Sequence, residues 1–269
     1  MNNKNIAFVY DFDGTLTPQD SFTYSVLPAL GMDRFRFWEN VDKLGSHKQA
    51  DPHGAGMLYL KQLAESQNIT LTRDWFAATA SNLTFCEGIE SEWFPHINSF
   101  ASALGFKPRH YIISAGQLEV IEACKIAPEF DGIYANEFFY DDNGKAQWPA
   151  HIVNSTNKLQ FLFRIHKGLF DLGNYLELYE HMPHINRLVP FENIIFIGDG
   201  ETDVPCMKVT KNRGGLALSV YPNDDYRNTA QRLYAQNRVE ACFRADYRKN
   251  SPLSQYIIEH LQKLAQQQA

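Results

Sequence analysis

Apolar residues change their spacing several times in this chain, and each change marks a new segment. Ile6 to Tyr10 is β-rich and apolar throughout, as a strand buried on both faces of a central sheet position would be. It ends on Asp11, Phe12, Asp13, Gly14 and Thr15, so two acids stand where a strand becomes a loop. From about Gln19 to Phe85 aromatics are frequent and the apolar residues take helical spacing, as in Phe22, Val26 and Leu30, then Met57, Leu60, Leu63 and Ala64. This predicts a helical insertion, with the Gly- and Pro-bearing stretch Asp42 to Gly56 as a loop inside it. His47 and His53 in that loop read as solvated surface rather than pocket lining.

The alternating strand and helix signals resume near Glu87 and Gly88. Trp93 to Leu104 suits a helix stopped by Gly105, Tyr111 to Ile113 a second buried strand ending on Ser114, and Gln117 to Ile126 a helix. Ser114 and Gln117 match the S-x-x-Q capping box, so Ser114 reads as a helix N-cap. That role is compatible with another: amides at such a helix start point where a phosphate would sit, and Ala115 and Gly116 allow close approach. Ile133 to Trp148 holds short strand-like runs around the turn signal Asp141 to Gly144, which predicts an edge hairpin. Leu159, Leu162, Phe163 and Ile165 suit a helix, and Phe170 to Pro190 reads as a surface elaboration. Asn193 to Ile197 is a third buried strand, again ending on acids within Gly198 to Asp203. Leu216 to Val220 reads as the final strand, and Ser251 with Pro252 opens the last helix.

The chemistry follows from the strand ends. Ligands of open α/β sheets bind at the carboxyl ends of strands, and two adjacent carboxylates repel and resist desolvation unless a cation joins them. A hard divalent ion is the simplest such cation. An Asp-Gly turn with an incidental second Asp is the alternative, but the full D-x-D-G-T after a buried strand favours the functional reading. Asp199 meets Asp11 if their strands are parallel neighbours, and one ion could bridge them. Asp203 either joins that cluster or caps the short helix through Met207. Two lysines compete for an active-site role. Lys167 precedes Gly168 at a helix C-terminus, where the dipole already stabilises a cation, whereas Lys158 opens the helix and needs an anionic partner. We therefore assign Lys158. Pro183 interrupts the helical face that would align His181 and His184 on a metal.

Bulk properties narrow the classes. The 269 residues carry a formal net charge of -6, which argues against general nucleic-acid binding. No apolar run approaches a membrane span, and MNNKN leads straight into a strand rather than a signal segment, so a soluble, cytoplasmic protein is expected. Cys86, Cys124, Cys206 and Cys242 form no C-x-x-C pair and read as buried thiols. The N-x-T sequons at Asn68, Asn82 and Asn154 read as incidental.

Taken together, DFDGTLT at Asp11 to Thr17, Ser114 in YIISAG, Lys158, and GDGETD at Gly198 to Asp203 make the chain resemble the haloacid dehalogenase superfamily of Asp-nucleophile phosphatases. One branch, which includes the phosphoserine phosphatases, carries a helical cap between its first and second motifs. The resemblance implies an α/β, Rossmann-like three-layer core with a mostly parallel sheet at residues 1–18 and 87–269, and an inserted α-helical cap at 19–86. It implies a Mg²⁺-dependent phosphatase acting on a small phosphorylated metabolite through an aspartyl phosphate. Asp11 would be the nucleophile and Asp13 the general acid and base; Thr15, Ser114, Gly116 and Lys158 would bind phosphate. Asp11, the main-chain carbonyl of Asp13, Asp199 and Asp203 would serve the metal. A phosphotransferase of the same superfamily and a non-catalytic phosphate-binding protein are the alternatives, the latter disfavoured because Asp11 and Asp13 are both present. Dehalogenase chemistry is disfavoured by the second aspartate. Two departures bear on substrate. Ala115 stands where phosphoserine phosphatases have the first of two glycines. Asp20 takes the offset of a cap glutamate that meets the substrate's amino group, and it either contacts substrate or N-caps the first cap helix.

Overall fold

A computed structural model, describing residues 4–46 and 49–268, places the strands in one seven-stranded sheet of order β4-β3-β2-β1-β5-β6-β7. In chain order these are β1 (Asn5–Tyr10), β2 (Lys107–Gln117), β3 (Gly132–Tyr140), β4 (Ala146–His151), β5 (Ile194–Gly198), β6 (Leu216–Tyr221) and β7 (Ala241–Arg244). Neighbours run parallel except β3 and β4, which form an antiparallel hairpin at the edge. Helices α1 (Leu27–Ala29), α2 (Arg34–Ser46), α3 (Pro52–Ser66), α4 (Arg73–Thr79) and α5 (Phe94–Ala103) lie between β1 and β2. Then α6 (Leu118–Glu122) follows β2, α7 (Lys158–Lys167) and α8 (Leu176–Tyr179) precede β5, α9 (Val204–Asn212) and α10 (Asp224–Ala235) flank β6, and α11 (Pro252–Gln267) ends the fold.

The central strand explains its own composition. Ile6, Phe8 and Tyr10 pack with Trp93, Ile97 and Ile257 on one face, while Ala7 and Val9 pack with Leu162, Ile165 and Met207 on the other. Successive side chains of a strand point to opposite faces, so a strand covered on both can be apolar without alternation. A third core joins α1 to α4 through Leu27, Phe37, Val41, Met57, Leu60 and Phe76, and it also takes in Val120 of α6, Phe138 of β3 and Ala146 of β4. The edge hairpin therefore supports the helical segment as well as extending the sheet.

Four expectations are corrected. The stretch Asp42 to Gly56 is mostly helix: α2 runs to Ser46 and α3 starts at Pro52 with Asp51 as N-cap. A Cβ on Gly45 would come 3.4 Å from Ala55 Cβ and one on Gly56 3.6 Å from the Trp38 ring, ordinary contact distances, so both glycines lie in helix without a steric need for glycine. His47 lies outside the described residues. Second, Ser114 is not a helix N-cap. Strand β2 continues to Gln117, the helix begins at Leu118, and no side chain caps it. Third, that helix spans five residues and ends at Glu122 instead of reaching Ile126. Fourth, β6 is not the last strand, since β7 pairs beyond it. Among the described residues no helix is long and apolar enough to cross a membrane. Cys86, Cys124 and Cys206 are buried, Cys242 is half-buried, and all are free.

Candidate active site

Strands β1 and β5 are parallel neighbours with Tyr10 opposite Ile197, and the Asp11 amide donates to the Ile197 carbonyl at 2.9 Å. Their carboxyl ends thus deliver Asp11 and Asp199 to one place. With Asp203, each offers an oxygen within 4.8 Å of the others. Two glycines make room for this crowding. A Cβ on Gly14, where φ is +73°, would fall 2.4 Å from Asp199 Oδ2, and a Cβ on Gly198 would fall 2.4 Å from Asp203 Oδ2.

One cation answers these carboxylates. Lys158, the first residue of α7 and 1% exposed, places Nζ 2.8 Å from Asp11 Oδ1 and 2.7 Å from Asp203 Oδ1. Burial works against its charge, but the carboxylates of Asp11 and Asp203 outweigh it and hold the ammonium above its ordinary pKa. Lys167 lies elsewhere, donating to the carbonyls of Leu178 and Glu180 at 2.7 Å. Asp203 receives Lys158 and, at 3.4 Å, the Gly200 amide that opens the helical turn Glu201–Asp203 before α9, so it joins the cluster and also caps that turn. Burial, then the charge of Asp11, pushes Asp203 up to about 6. Burial and the charges of Asp11 and Asp203 raise Asp199 well above the usual carboxylate range. Three converging carboxylates, two of them paired with one lysine, are an incompletely neutralised set of hard oxygen donors, and a divalent cation such as Mg²⁺ fits it.

Asp13 behaves differently. Its Oδ1 accepts the Ser21 amide at 2.7 Å, yet burial first and the charge of Asp20 second push it up to about 8. Burial and the neighbouring charge thus favour its protonated form, the form a proton donor needs. Beside it the β2 ladder breaks between Ile113 and Gln117. Ser114, 1% exposed, accepts the Gly116 amide at 3.0 Å. A Cβ on Gly116 would lie 3.2 Å from Ser114 Oγ and 3.4 Å from Asp13 Oδ2, so glycine keeps this side open. Thr15 is fully buried, and its Oγ1 has no hydrogen-bond partner. A buried hydroxyl left unpaired inside a polar cluster is a donor awaiting an acceptor.

From Asp13 a cavity of about 160 Å³ extends into the helical segment, between Asp20, Phe22, Trp38, His53 and Met57 on one side and Gly116 and Gln117 on the other. Asp20 Oδ1 accepts the amides of Phe22 and Thr23 at 3.0 and 3.3 Å, as a helix cap does, and the residue also lines the cavity. His53 contradicts the surface expectation. It sits at the start of α3, half-buried on the cavity wall, where burial lowers its pKa. His181 and His184 are exposed. Phe22, Trp38 and Met57 carried no local signal as cavity residues in sequence, since aromatic spacing alone does not separate a lined pocket from a packed core.

Comparison with known proteins shows the family and the fold. The model of the haloacid dehalogenase-like hydrolase family matches residues 8–208, and the chain belongs to that family. It is 28% identical over 292 residues to an uncharacterized protein of Borreliella burgdorferi, covering 97% of this chain and 99% of that one. Among solved structures, a phosphoserine phosphatase in apo form superposes with a TM-score of 0.56 at 16% identity, covering 90% of this chain and 96% of that one. A HAD family hydrolase from Salmonella enterica serovar Typhi gives a TM-score of 0.52 at 18% identity over 82% of this chain, which spans 64% of that hydrolase's length. The fold is shared with both.

Proposed function

We propose that this protein is a Mg²⁺-dependent phosphatase that hydrolyses a small phosphorylated metabolite, acting in the cytoplasm through an aspartyl phosphate. The observation that carries this reading is the pairing of unlike carboxylates. Asp11 is held by Lys158 at 2.8 Å, whereas Asp13, two residues on, is pushed up to about 8. One is a nucleophile and the other an acid.

Asp11 attacks phosphorus, forming a carboxylate–phosphorus bond as the ester bond breaks, and Asp13 protonates the departing alkoxide. The same Asp13, now ionised, takes a proton from the water that hydrolyses the aspartyl phosphate, which regenerates both residues. Thr15, Ser114 and Lys158 hold the phosphoryl oxygens, and Gly116 permits their close approach. Lys158 also fixes the orientation of Asp11. Asp11, Asp199, Asp203 and the main chain at Asp13 would hold Mg²⁺, which supplies charge neutralisation between nucleophile and phosphate when bound. The cavity beyond Asp13 takes the leaving alcohol. At about 160 Å³ it falls below the ~300–1,000 Å³ of sites for drug-sized ligands, which favours a compact metabolite.

The test is phosphate release from a panel of phosphorylated metabolites and one aryl phosphate, with Mg²⁺ or chelator, beside Asp11→Asn. Mg²⁺-dependent release abolished in the variant supports the reading; release that survives both chelator and Asp11→Asn removes it.

A further inference from the structure

Residues past 208 lie beyond the span that matches the family model, yet one of them reaches the nucleophile turn. Tyr247, in the connection from β7 to α11, is fully buried, and its hydroxyl donates to the Thr15 main-chain carbonyl at 3.0 Å. Within the turn the Phe12 carbonyl receives the amides of Thr15, Leu16 and Thr17 at 3.3, 2.9 and 3.2 Å, and the Leu16 carbonyl receives the Cys86 amide at 2.8 Å, so Tyr247 is what holds the Thr15 carbonyl. The Thr15 amide bond is the longest of the three. The orientation of this residue, whose Oγ1 is buried and unpaired, therefore depends on what holds its other end.

Tyr247 is well placed to supply that hold because it is itself fixed from several sides. Its ring meets Trp93 edge-on, with centroids 5.2 Å apart, and its amide donates to the Glu87 carbonyl at 2.8 Å. Gly88 lies directly against the next peptide: with φ at +85°, a Cβ there would fall 2.4 Å from the Arg248 nitrogen, so only glycine lets the two segments approach this closely. Trp93 Nε1 in turn donates to the Tyr10 hydroxyl at 2.8 Å. Both ends of the nucleophile segment, Tyr10 before Asp11 and Thr15 after it, thus hang on one buried aromatic pair.

We propose that Tyr247 is a positioning residue for phosphate binding: by holding the Thr15 carbonyl it aims the Thr15 hydroxyl at the phosphoryl group. The proposal rests on the phosphate-binding role given to Thr15 above. A pre-set donor is worth more than a mobile one because no reorganisation accompanies binding, and small misplacements of such groups are costly.

Tyr247→Phe keeps the ring and its packing and removes only the donor. Binding of inorganic phosphate to the Mg²⁺-loaded protein, measured by calorimetry, is expected to weaken about tenfold, the scale of one lost buried hydrogen bond. The Mg²⁺ affinity is expected to stay within about twofold, because the Asp11, Asp199 and Asp203 oxygens do not touch Tyr247. Thr15→Val should show the same loss, and the double variant no more than Thr15→Val alone, since a donor that acts through Thr15 has nothing left to position. Thr15→Ser, which retains the hydroxyl, should keep its sensitivity to Tyr247→Phe. Undiminished phosphate binding in Tyr247→Phe, or losses that multiply in the double variant, would overturn the proposal. If Tyr247→Phe does not fold, the Thr15→Val result decides alone: unchanged phosphate binding there removes the hydroxyl that Tyr247 is said to aim. Tyr247-dependent phosphate binding in a protein that releases none from any ester would sustain this inference and sink the phosphatase reading.

Discussion

The two ends of the candidate site are built on different physics. The phosphate end sits on strand termini of a sheet covered on both faces, and its charged groups are crowded and nearly dry, with Asp11 6%, Asp203 0% and Lys158 1% exposed. The leaving-group end is walled by helices of the inserted segment, where half-buried Phe22, Trp38 and His53 surround open volume. The difference teaches that reaction type is set by a few groups whose charges cannot be satisfied without a cation and an anion. On the proposed function, substrate choice would follow from shape and from the charge of Asp20 on a wall that also holds Phe22, Trp38 and Met57.

The contrast can be tested from its strongest consequence down. Asp11→Asn should reduce turnover of any substrate by about ten-thousandfold or more, the scale on which loss of a covalent nucleophile acts, measured by phosphate release at saturating substrate. Lys158→Met should act on folding as well: it strands the carboxylates of Asp11 and Asp203, and breaking a buried pair costs about 3–5 kcal/mol in urea unfolding. Added Mg²⁺ should recover part of that loss. In the intact protein, Mg²⁺ at about a hundred times its dissociation constant should add about 2.7 kcal/mol, seen as a melting rise of several degrees that chelator reverses. Gly14→Ala, which drives a Cβ into Asp199, should blunt it.

The leaving-group end should answer to charge. Asp20 lines the cavity, so phosphoserine, with its carboxylate, should be turned over about tenfold less efficiently than phosphoethanolamine. Equal kcat/KM values would show that the wall does not sense charge. A smaller effect separates the scaffold from both ends. His110, buried on β2 opposite Phe8 of β1, is pushed down to about 3 by burial; its Nδ1 accepts from the Tyr10 hydroxyl at 3.0 Å and its Nε2 donates to Asn98 Oδ1 at 2.7 Å. The unfolded chain binds this proton near pH 6.5 and the folded chain does not, so the contribution is complete above about 6.5 and fades as pH falls toward 3. Urea midpoints between pH 7 and 4.5 should fall more steeply in the wild type than in His110→Gln.

The same division governs what could be read from sequence. Asp11, Asp199 and Lys158 announced themselves because a carboxylate at the end of an apolar run, or a cation at a helix start, is locally unfavourable and demands a partner. Ser114 was misread as a helix cap because S-x-x-Q is a local rule, whereas the strand that carries Ser114 is held by its ladder to β1 and β3. β7 escaped notice because it is a short, half-buried edge strand with no apolar run. Gly45 and Gly56 read as loop residues because glycine is locally a helix breaker, whereas the helices that hold them are fixed by packing through Phe37, Val41, Met57 and Leu60. Tyr247 could not be found at all, since its partner Thr15 is more than two hundred residues away.

The account turns on Asp11 carrying the phosphoryl group, and the most direct test is to catch it there. Acid quench during steady turnover with labelled substrate and Mg²⁺, followed by peptide mapping, should place an acid-stable, hydroxylamine-labile label on the segment containing Asp11, with none in Asp11→Asn. Label on another residue, or turnover with no covalent label under conditions where hydrolysis of the intermediate is slowed, would contradict it.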